Sequence, residues 1–531
     1  MAYRILICVG ALSLCLTAEA AASTCESLQG IKLPDTTIAT AQTVQAGAFT
    51  APKGASTSLT GPPSYKNLPA FCRVAGVIKP SSDSVIQFEV WMPSSGWNGR
   101  FQGVGNGGFA GSINYVGLRD EVAAGYAAAS TDTGHEQGDI NAQWALDHPE
   151  KIIDFGYRAI HETAEKGKAM VRAFYGDAPK HSYFNSCSNG GRQALMEAQR
   201  YPADYDGIIA GAPANQWTHL FADFIWNSQA LGEPGAYIPA AKLPAIEAAT
   251  LEACDALDGV KDGVIDNPAK CHFDPARLLC KGEESASCLT APQVKALERI
   301  YSGAKDSKGN QLYPGFPVGG ATGFSGWPIW ILGTAPEKSG HFAFGTQFYS
   351  NMVFDNASWD YHTFNFDKDL KTADAKAGKI MNSADPNLKA FENRKGKLIL
   401  YHGWSDAAIP APATIQYYDN VVAAMGRQQA DSFVRLFLAP GMHHCGAGPG
   451  PNNFGQAGGT PRDAEHDITK ALEHWVEDGV APERIIATKY KTDSNPASEV
   501  IRTRPLCAYP QVARYKGSGS TDDAANFVCA K

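Results

Sequence analysis

After Ser23 the chain contains no apolar run long enough to cross a membrane as a helix. That removes an integral helical membrane protein from consideration for the bulk of it. Blocks of lysine or arginine are also missing, and the 46 basic side chains are outnumbered by 54 acidic ones, for a formal net charge of -8 at pH 7. A nucleic-acid surface needs clustered cations against phosphates, so DNA and RNA are not expected partners. No internal repeat or low-complexity tract occurs, which argues against a solenoid or a disordered chain. What is present, 44% hydrophobic and 10% aromatic residues over 531 positions, fits a folded globular protein with a small, largely apolar partner. The sequence carries no signal for an oligomeric state.

The first residues, "MAYRILICVGALSLCLTAEAAAS", combine one arginine, an apolar run from Ile5 to about Leu16 and the small-residue pattern around Ala18, Ala20 and Ala22. This is the form of a signal peptide, here residues 1–22, and it predicts a secreted or periplasmic protein. Cleavage would leave ten cysteines, an even number suited to disulfides in an oxidising compartment. Local spacing favours Cys254 with Cys271, Cys280 with Cys288, and Cys507 with Cys529, with Cys25 to Cys72 near the N-terminus. Cys187 and Cys445 are left over. Spacing alone does not determine connectivity, and two buried free thiols are the alternative for this last pair.

Between Ser84 and Ala129, "SVIQFEVWMP", "GRFQGVG" and "GYAAAST" read as strands, and Ile152–Phe174 carries apolar residues at helical spacing. A strand at Tyr183, a helix over 191–200 and the short apolar "YDGIIAGAPA" follow. Strands alternating with helices predict a mostly parallel sheet. The pattern dissolves over residues 215–385, rich in Trp, Phe, Gly and Pro, which reads as an inserted lid. It resumes in "GKLILYHGWSD" and "DSFVRLFLAPGMHHC", with a helix expected over 463–477. The expected organisation is therefore a catalytic domain from 23–214 and 386–531 around a lid of 215–385.

Active-site groups in a parallel sheet gather beyond the carboxyl ends of its strands. Three such ends carry Ser188, Asp406 and His444, in an order that suits nucleophile, orienting acid and base. Ser186 occupies the first glycine position of the G-x-S-x-G elbow, so that motif is imperfect. Helix capping is the plain alternative for Ser188. A Cys187 to Cys445 bridge would bring the nucleophile and base segments together, since bridged Cα atoms lie about 4.4–6.8 Å apart. His443 competes with its neighbour as the base. His402, four residues before Asp406, either lines the pocket or packs within its strand.

The loop "GVGNGGFAG" can present backbone N–H groups to a developing oxyanion, with Gly108 and Asn189 as the candidate donors. Its Gly103–Gly108 portion also matches a dinucleotide fingerprint, but no long helix follows, and no organic cofactor is expected. "CDALDGVKDGVIDN" interleaves Asp255, Asp258, Asp262 and Asp266 with turn glycines. Oxygen donors in a flexible loop favour a structural Ca2+ ion over a solvated acidic turn.

These segments together resemble the tannase and feruloyl esterase family, which includes mono(2-hydroxyethyl) terephthalate hydrolase. The resemblance spans essentially the whole mature chain and rests on "CSNGGRQALMEAQRYPADYDGIIAGAPA", "WNGRFQGVGNGG", "YHGWSDAA", "APGMHHC" and "RTRPLCAYPQVARYKGSG". It implies an α/β-hydrolase fold with an inserted lid, a Ser188–His444–Asp406 triad, and a disulfide joining Cys187 to Cys445. It also implies oxyanion donors at Gly108 and Asn189, and a calcium held by Asp255, Asp258, Asp262 and the carbonyls of Val260 and Val264. The implied substrate is a small ester of an aromatic acid, gallate or hydroxycinnamate, with a terephthalate monoester as the alternative. A non-catalytic carbohydrate- or aromatic-binding protein on the same fold is the rival of another class. Trp327, Trp330, Phe342 and Phe344 are candidate stacking partners for the acyl ring. In "APEKSGHFAFG" the branch acting on terephthalate has an arginine for the free carboxylate; here Lys338 is the available cation, and His341 stands near the position of an aromatic clamp.

Overall fold

The computed structural model describes residues 24–52, 63–136, 138–456, 462–493 and 495–531. The expected signal segment lies outside them. A nine-stranded sheet organises the molecule: β1 Thr36–Val44, β2 Phe71–Ile78, β3 Ile86–Pro93, β4 Arg100–Val104, β5 Ala127–Thr131, β6 His181–Cys187, β7 Gly207–Gly211, β8 Lys397–Gly403 and β9 Val434–Ala439. Their spatial order is β1-β2-β3-β5-β4-β6-β7-β8-β9. The strands pair antiparallel from β1 to β5 and parallel from β5 through β4 to β9. This is the α/β-hydrolase arrangement. β7 and the centre of β8 are apolar and buried on both faces, as strands in a covered parallel sheet must be.

The expected helix at 152–174 exists, with a π-type turn at Asp154–Arg158 interrupting it before Ala159–Tyr175. The C-terminal helix starts at Ile468, later than the apolar pattern implied. Asp467 ends the preceding loop by accepting the Thr469 and Lys470 amides, and an N-cap of that kind sets where a helix begins. Between β7 and β8 the chain leaves the sheet and forms helices, the longest Trp217–Gly232, with Leu243–Cys254, Ala291–Ser302 and Gly340–Phe348. Phe221, Phe224, Phe344, Phe348 and Tyr349 of this excursion pack together in an apolar cluster that also takes in Phe109, Phe155 and Ile409 from outside it. Five disulfides close, Cys25 to Cys72, Cys187 to Cys445, Cys254 to Cys271, Cys280 to Cys288 and Cys507 to Cys529. No helix among the described residues is long and apolar enough to cross a membrane.

Candidate active site

Ser188 follows β6 directly and precedes the helix Asn189–Arg200. It occupies the N-cap position, yet its side chain caps nothing, and its backbone sits at φ 68°, ψ -126°. A serine held at positive φ without a capping bond is better explained as an exposed elbow than as a helix cap. Ser186 is accommodated because its neighbours give way. A Cβ on Gly190 would lie 1.9 Å from the Ser186 Oγ, and one on Gly105 would lie 2.7 Å from it. The elbow is pinned by the Ser188 amide on the Gly211 carbonyl, 2.9 Å, and by the Ala214 amide on the Ser188 carbonyl, 3.2 Å.

The Cys187 to Cys445 bridge, with Cα atoms 6.0 Å apart, ties the elbow to the loop after β9. In that loop the two histidines part. His444 donates from Nδ1 to Asp406 Oδ2 at 2.7 Å. His443 turns to the excursion between β7 and β8, donating from Nε2 to the Gly320 carbonyl at 2.9 Å and accepting the Ser325 hydroxyl at Nδ1, 2.7 Å. Only His444 therefore has the acid partner a base requires. Asp406 is buried, which by itself raises its pKa, but the charge of His444 and hydrogen bonds from His402 and His444 outweigh burial and hold the carboxyl well below the usual carboxylate range. Its Oδ1 takes the amides of Ala408 and Ile409 at 2.7 and 2.9 Å.

Gly108 and Asn189 meet Ser188 at one apolar cleft, further lined by Ala214, Trp217, Leu220, Phe221, Phe224, Trp330, Phe344, Ala408 and Ile409. Gly108 has φ +52°, and a Cβ there would strike the Asp139 carbonyl at 2.4 Å, so this turn requires glycine. Among the described residues no backbone carbonyl takes the Gly108 or the Asn189 amide. Trp330 also meets His444 edge-on, with ring centroids 5.1 Å apart, which places the imidazole at the same cleft.

The other expected contacts lie elsewhere. His402 is wholly buried and does not line the cleft; its Nε2 serves Asp406 Oδ2 at 3.2 Å and the Ile409 carbonyl at 2.9 Å, and its Nδ1 accepts the Thr414 hydroxyl. His341 is also buried, stacked on Phe224 at 4.0 Å and donating to the Ala407 carbonyl at 2.9 Å, so it braces the acid loop from the lid. Burial lowers its pKa to about 3, against opposing hydrogen bonds and the Asp406 charge, and the ring is a neutral donor. Lys338 is exposed on the lid surface and Trp327 is buried in the lid interior. Phe342 packs on Tyr361 at 5.2 Å. Trp330 and Phe344 remain as cleft residues. The helix supplying Trp217, Phe221 and Phe224 was not recognised as a wall of the site, although their i, i+4, i+7 spacing marks one face of a helix.

In the acidic loop, Asp255 accepts the Asp262 and Gly263 amides, Asp258 the Val260 amide and Asp262 the Val264 amide. Arg502 and Arg504 of the C-terminal segment pair with Asp262. Among the described residues no three His, Cys, Asp or Glu side chains group closely enough to hold a metal ion by themselves. The side-chain donors of this loop are oxygens, the type a Ca2+ ion takes, and the carbonyls of Val260 and Val264 are the ones that would complete such a set.

A sheet with Ser188, Asp406 and His444 beyond three strand ends is matched from Cys72 onward: the family model for tannase and feruloyl esterase covers residues 72–530. The chain belongs to the tannase and feruloyl esterase family. An uncharacterized esterase of Xanthomonas campestris is 46% identical, across 99% of this chain and 94% of its own. Mono(2-hydroxyethyl) terephthalate hydrolase of Piscinibacter sakaiensis is 35% identical, across 87% and 85%. The crystal structure of feruloyl esterase B from Aspergillus oryzae superposes with a TM-score of 0.85 at 30% identity, covering 95% of this chain and 99% of that one. This tannase-family member is an esterase.

Proposed function

We propose that this esterase is an exported serine hydrolase that cleaves esters of aromatic acids, of the feruloyl or galloyl type, through an acyl-enzyme. Residues 215–385 act as its lid. The observation that carries the substrate reading is the cleft over Ser188: Trp217, Phe221, Phe224, Trp330 and Phe344 surround it, and among the described residues no Lys, Arg, Asp or Glu side chain lines it. Such walls suit a neutral aromatic acyl group. A terephthalate monoester brings a free carboxylate, and with Lys338 on the surface nothing lining the cleft compensates its desolvation.

Ser188 Oγ attacks the ester carbon while His444 Nε2 takes its proton. Asp406 keeps the other nitrogen protonated and stabilises the imidazolium. The tetrahedral oxyanion is held by the Gly108 and Asn189 amides. His444 then returns the proton to the departing alcohol, and water repeats the sequence to release the acid. The test is product analysis with methyl ferulate, methyl gallate and mono(2-hydroxyethyl) terephthalate. Turnover of ferulate or gallate with slow or no turnover of the terephthalate ester is expected. Preferential release of terephthalate would reverse the substrate assignment, and inertness toward all three would favour a binding protein on this fold.

The acidic loop is proposed to hold Ca2+ through Asp255, Asp258, Asp262 and the carbonyls of Val260 and Val264. When bound, the ion supplies structural cross-linking and no chemistry. A ligand that binds only the folded state stabilises it by about 2.7 kcal/mol at a hundredfold excess over Kd. Chelation followed by removal of the chelator is therefore expected to lower Tm by several degrees, and added Ca2+ to restore it. Identical melting curves would leave the loop as an acidic turn braced by Arg502 and Arg504.

A further inference from the structure

Arg192 lies one helical turn beyond Ser188, and its amide donates to the Ser188 carbonyl at 3.1 Å. Its side chain is 0% exposed. Among the described residues the guanidinium has no carboxylate partner: Nε donates to Asn189 Oδ1 at 2.8 Å, and the terminal nitrogens donate to the carbonyls of Phe155, Gly156 and Met381 at 3.0, 2.7 and 3.4 Å. It faces the rings of Phe155 and Trp217, each centroid 4.9 Å away. Burial lowers its pKa to about 9, which still leaves it charged at neutral pH.

An unpaired buried cation is costly, and an apolar side chain in such a place is often neutral or stabilising. The cost has a use if negative charge appears nearby only during reaction. Asn189 and Trp217 both touch Arg192 and both line the cleft beside Ser188. We propose that Arg192 is a positioning residue for the oxyanion: it orients Asn189 and places an uncompensated positive charge behind the amide that receives the developing negative charge. The inference rests on the Ser188 reading given above. In the ground state the charge meets only neutral groups; in the tetrahedral state it faces an anion across a poorly screened interior, so it favours the transition state selectively.

The test compares Arg192→Met, Arg192→Lys and Ser188→Ala with the parent, using 4-nitrophenyl butyrate as substrate and phenylboronic acid as inhibitor. Addition of the Ser188 oxygen to boron, with its proton passing to His444, yields a tetrahedral anion. Arg192→Met is expected to lower kcat about 10- to 100-fold, less than the ~10²–10³ lost with a direct oxyanion donor. KM should move by less than about threefold, and the boronate Ki should weaken with kcat, as for an interaction made only in the transition state. Arg192→Lys keeps the charge and cannot reach all the carbonyls, so it should recover most of kcat. A folded Arg192→Met with parental kcat, an unchanged boronate Ki, or an Arg192→Lys as slow as Arg192→Met would overturn the proposal. If Arg192→Met does not fold, Arg192→Lys against the parent decides, a large loss of kcat counting against it. An active Ser188→Ala would sink the site itself and this inference with it. An inactive Ser188→Ala beside a fast Arg192→Met would sink this inference alone.

Discussion

Ser188→Ala is expected to abolish ester hydrolysis, lowering kcat by at least ~10³-fold, because nucleophile and base act as a unit and neither functions alone. The same substitution should leave Tm nearly unchanged. The hydroxyl caps no helix, and the backbone bonds to Gly211 and from Ala214 that hold the elbow do not involve the side chain. Alanine meets the positive φ of this position at much the same cost as serine. Separation of the two readouts distinguishes a nucleophile from a structural serine. Measured by product release and by a melting curve, a variant that hydrolyses at more than a small fraction of the parental rate would place the nucleophile elsewhere. A variant that is inactive because it melts early would return Ser188 to a structural role.

Asp406→Asn is expected to cost about 10⁴ in kcat, the scale on which a triad fails when its imidazole loses the correct tautomer. The asparagine oxygen can keep the Ala408 and Ile409 amides, which leaves its NH2 group facing His444 Nδ1, a donor meeting a donor. His402 loses an acceptor at the same time, though it retains the Ile409 carbonyl. The stability effect has a definite sign with pH. The folded carboxyl is held below its unfolded value, so its contribution is complete above the unfolded pKa of about 3.9 and is lost as pH falls through the folded one. The Tm gap between parent and Asp406→Asn should therefore be present at pH 5 and close in stronger acid. A gap that widened on acidification below pH 5, or a variant with parental kcat, would contradict the assigned role.

Much of the site was legible before the structure because its signals are local. A short apolar strand running into Ser188 and two glycines describes an elbow, and strands ending at "YHGWSD" and "APGMHHC" bring acid and base to the same sheet edge. The departure at Ser186 looked like a defect in the motif. Its resolution is partly local and partly not, since the room for that side chain is made by Gly190 in the same turn and by Gly105 on a loop from another strand. The excursion between β7 and β8 shows in the sequence only as a loss of strand alternation, because it contributes no strand to the nine-stranded sheet.

His443 and His444 mark the division most sharply. Nothing in "GMHHC" ranks two adjacent imidazoles, and sequence neighbours on an irregular loop can point to different partners. Packing chose: the lid carbonyl of Gly320 claims one ring and Asp406 the other. For His402 both the pocket and the strand interior were open, while His341 and Lys338 were expected at the substrate; the fold places the two histidines behind the Asp406 loop and the lysine at the surface. Arg192 stood in the quoted "GGRQ" without a role, because a buried charge without a counterion is recognisable only once its surroundings are known. By itself the sequence determined the parallel sheet, the placing of Ser188, Asp406 and His444 beyond three strand ends, and the local disulfide spacings, since these depend on short-range periodicity and turn chemistry. The tertiary structure alone decided which histidine meets Asp406 and which aromatics line the cleft, because those contacts join segments far apart in the chain and arise only when the sheet and the helices between β7 and β8 close around a common interior.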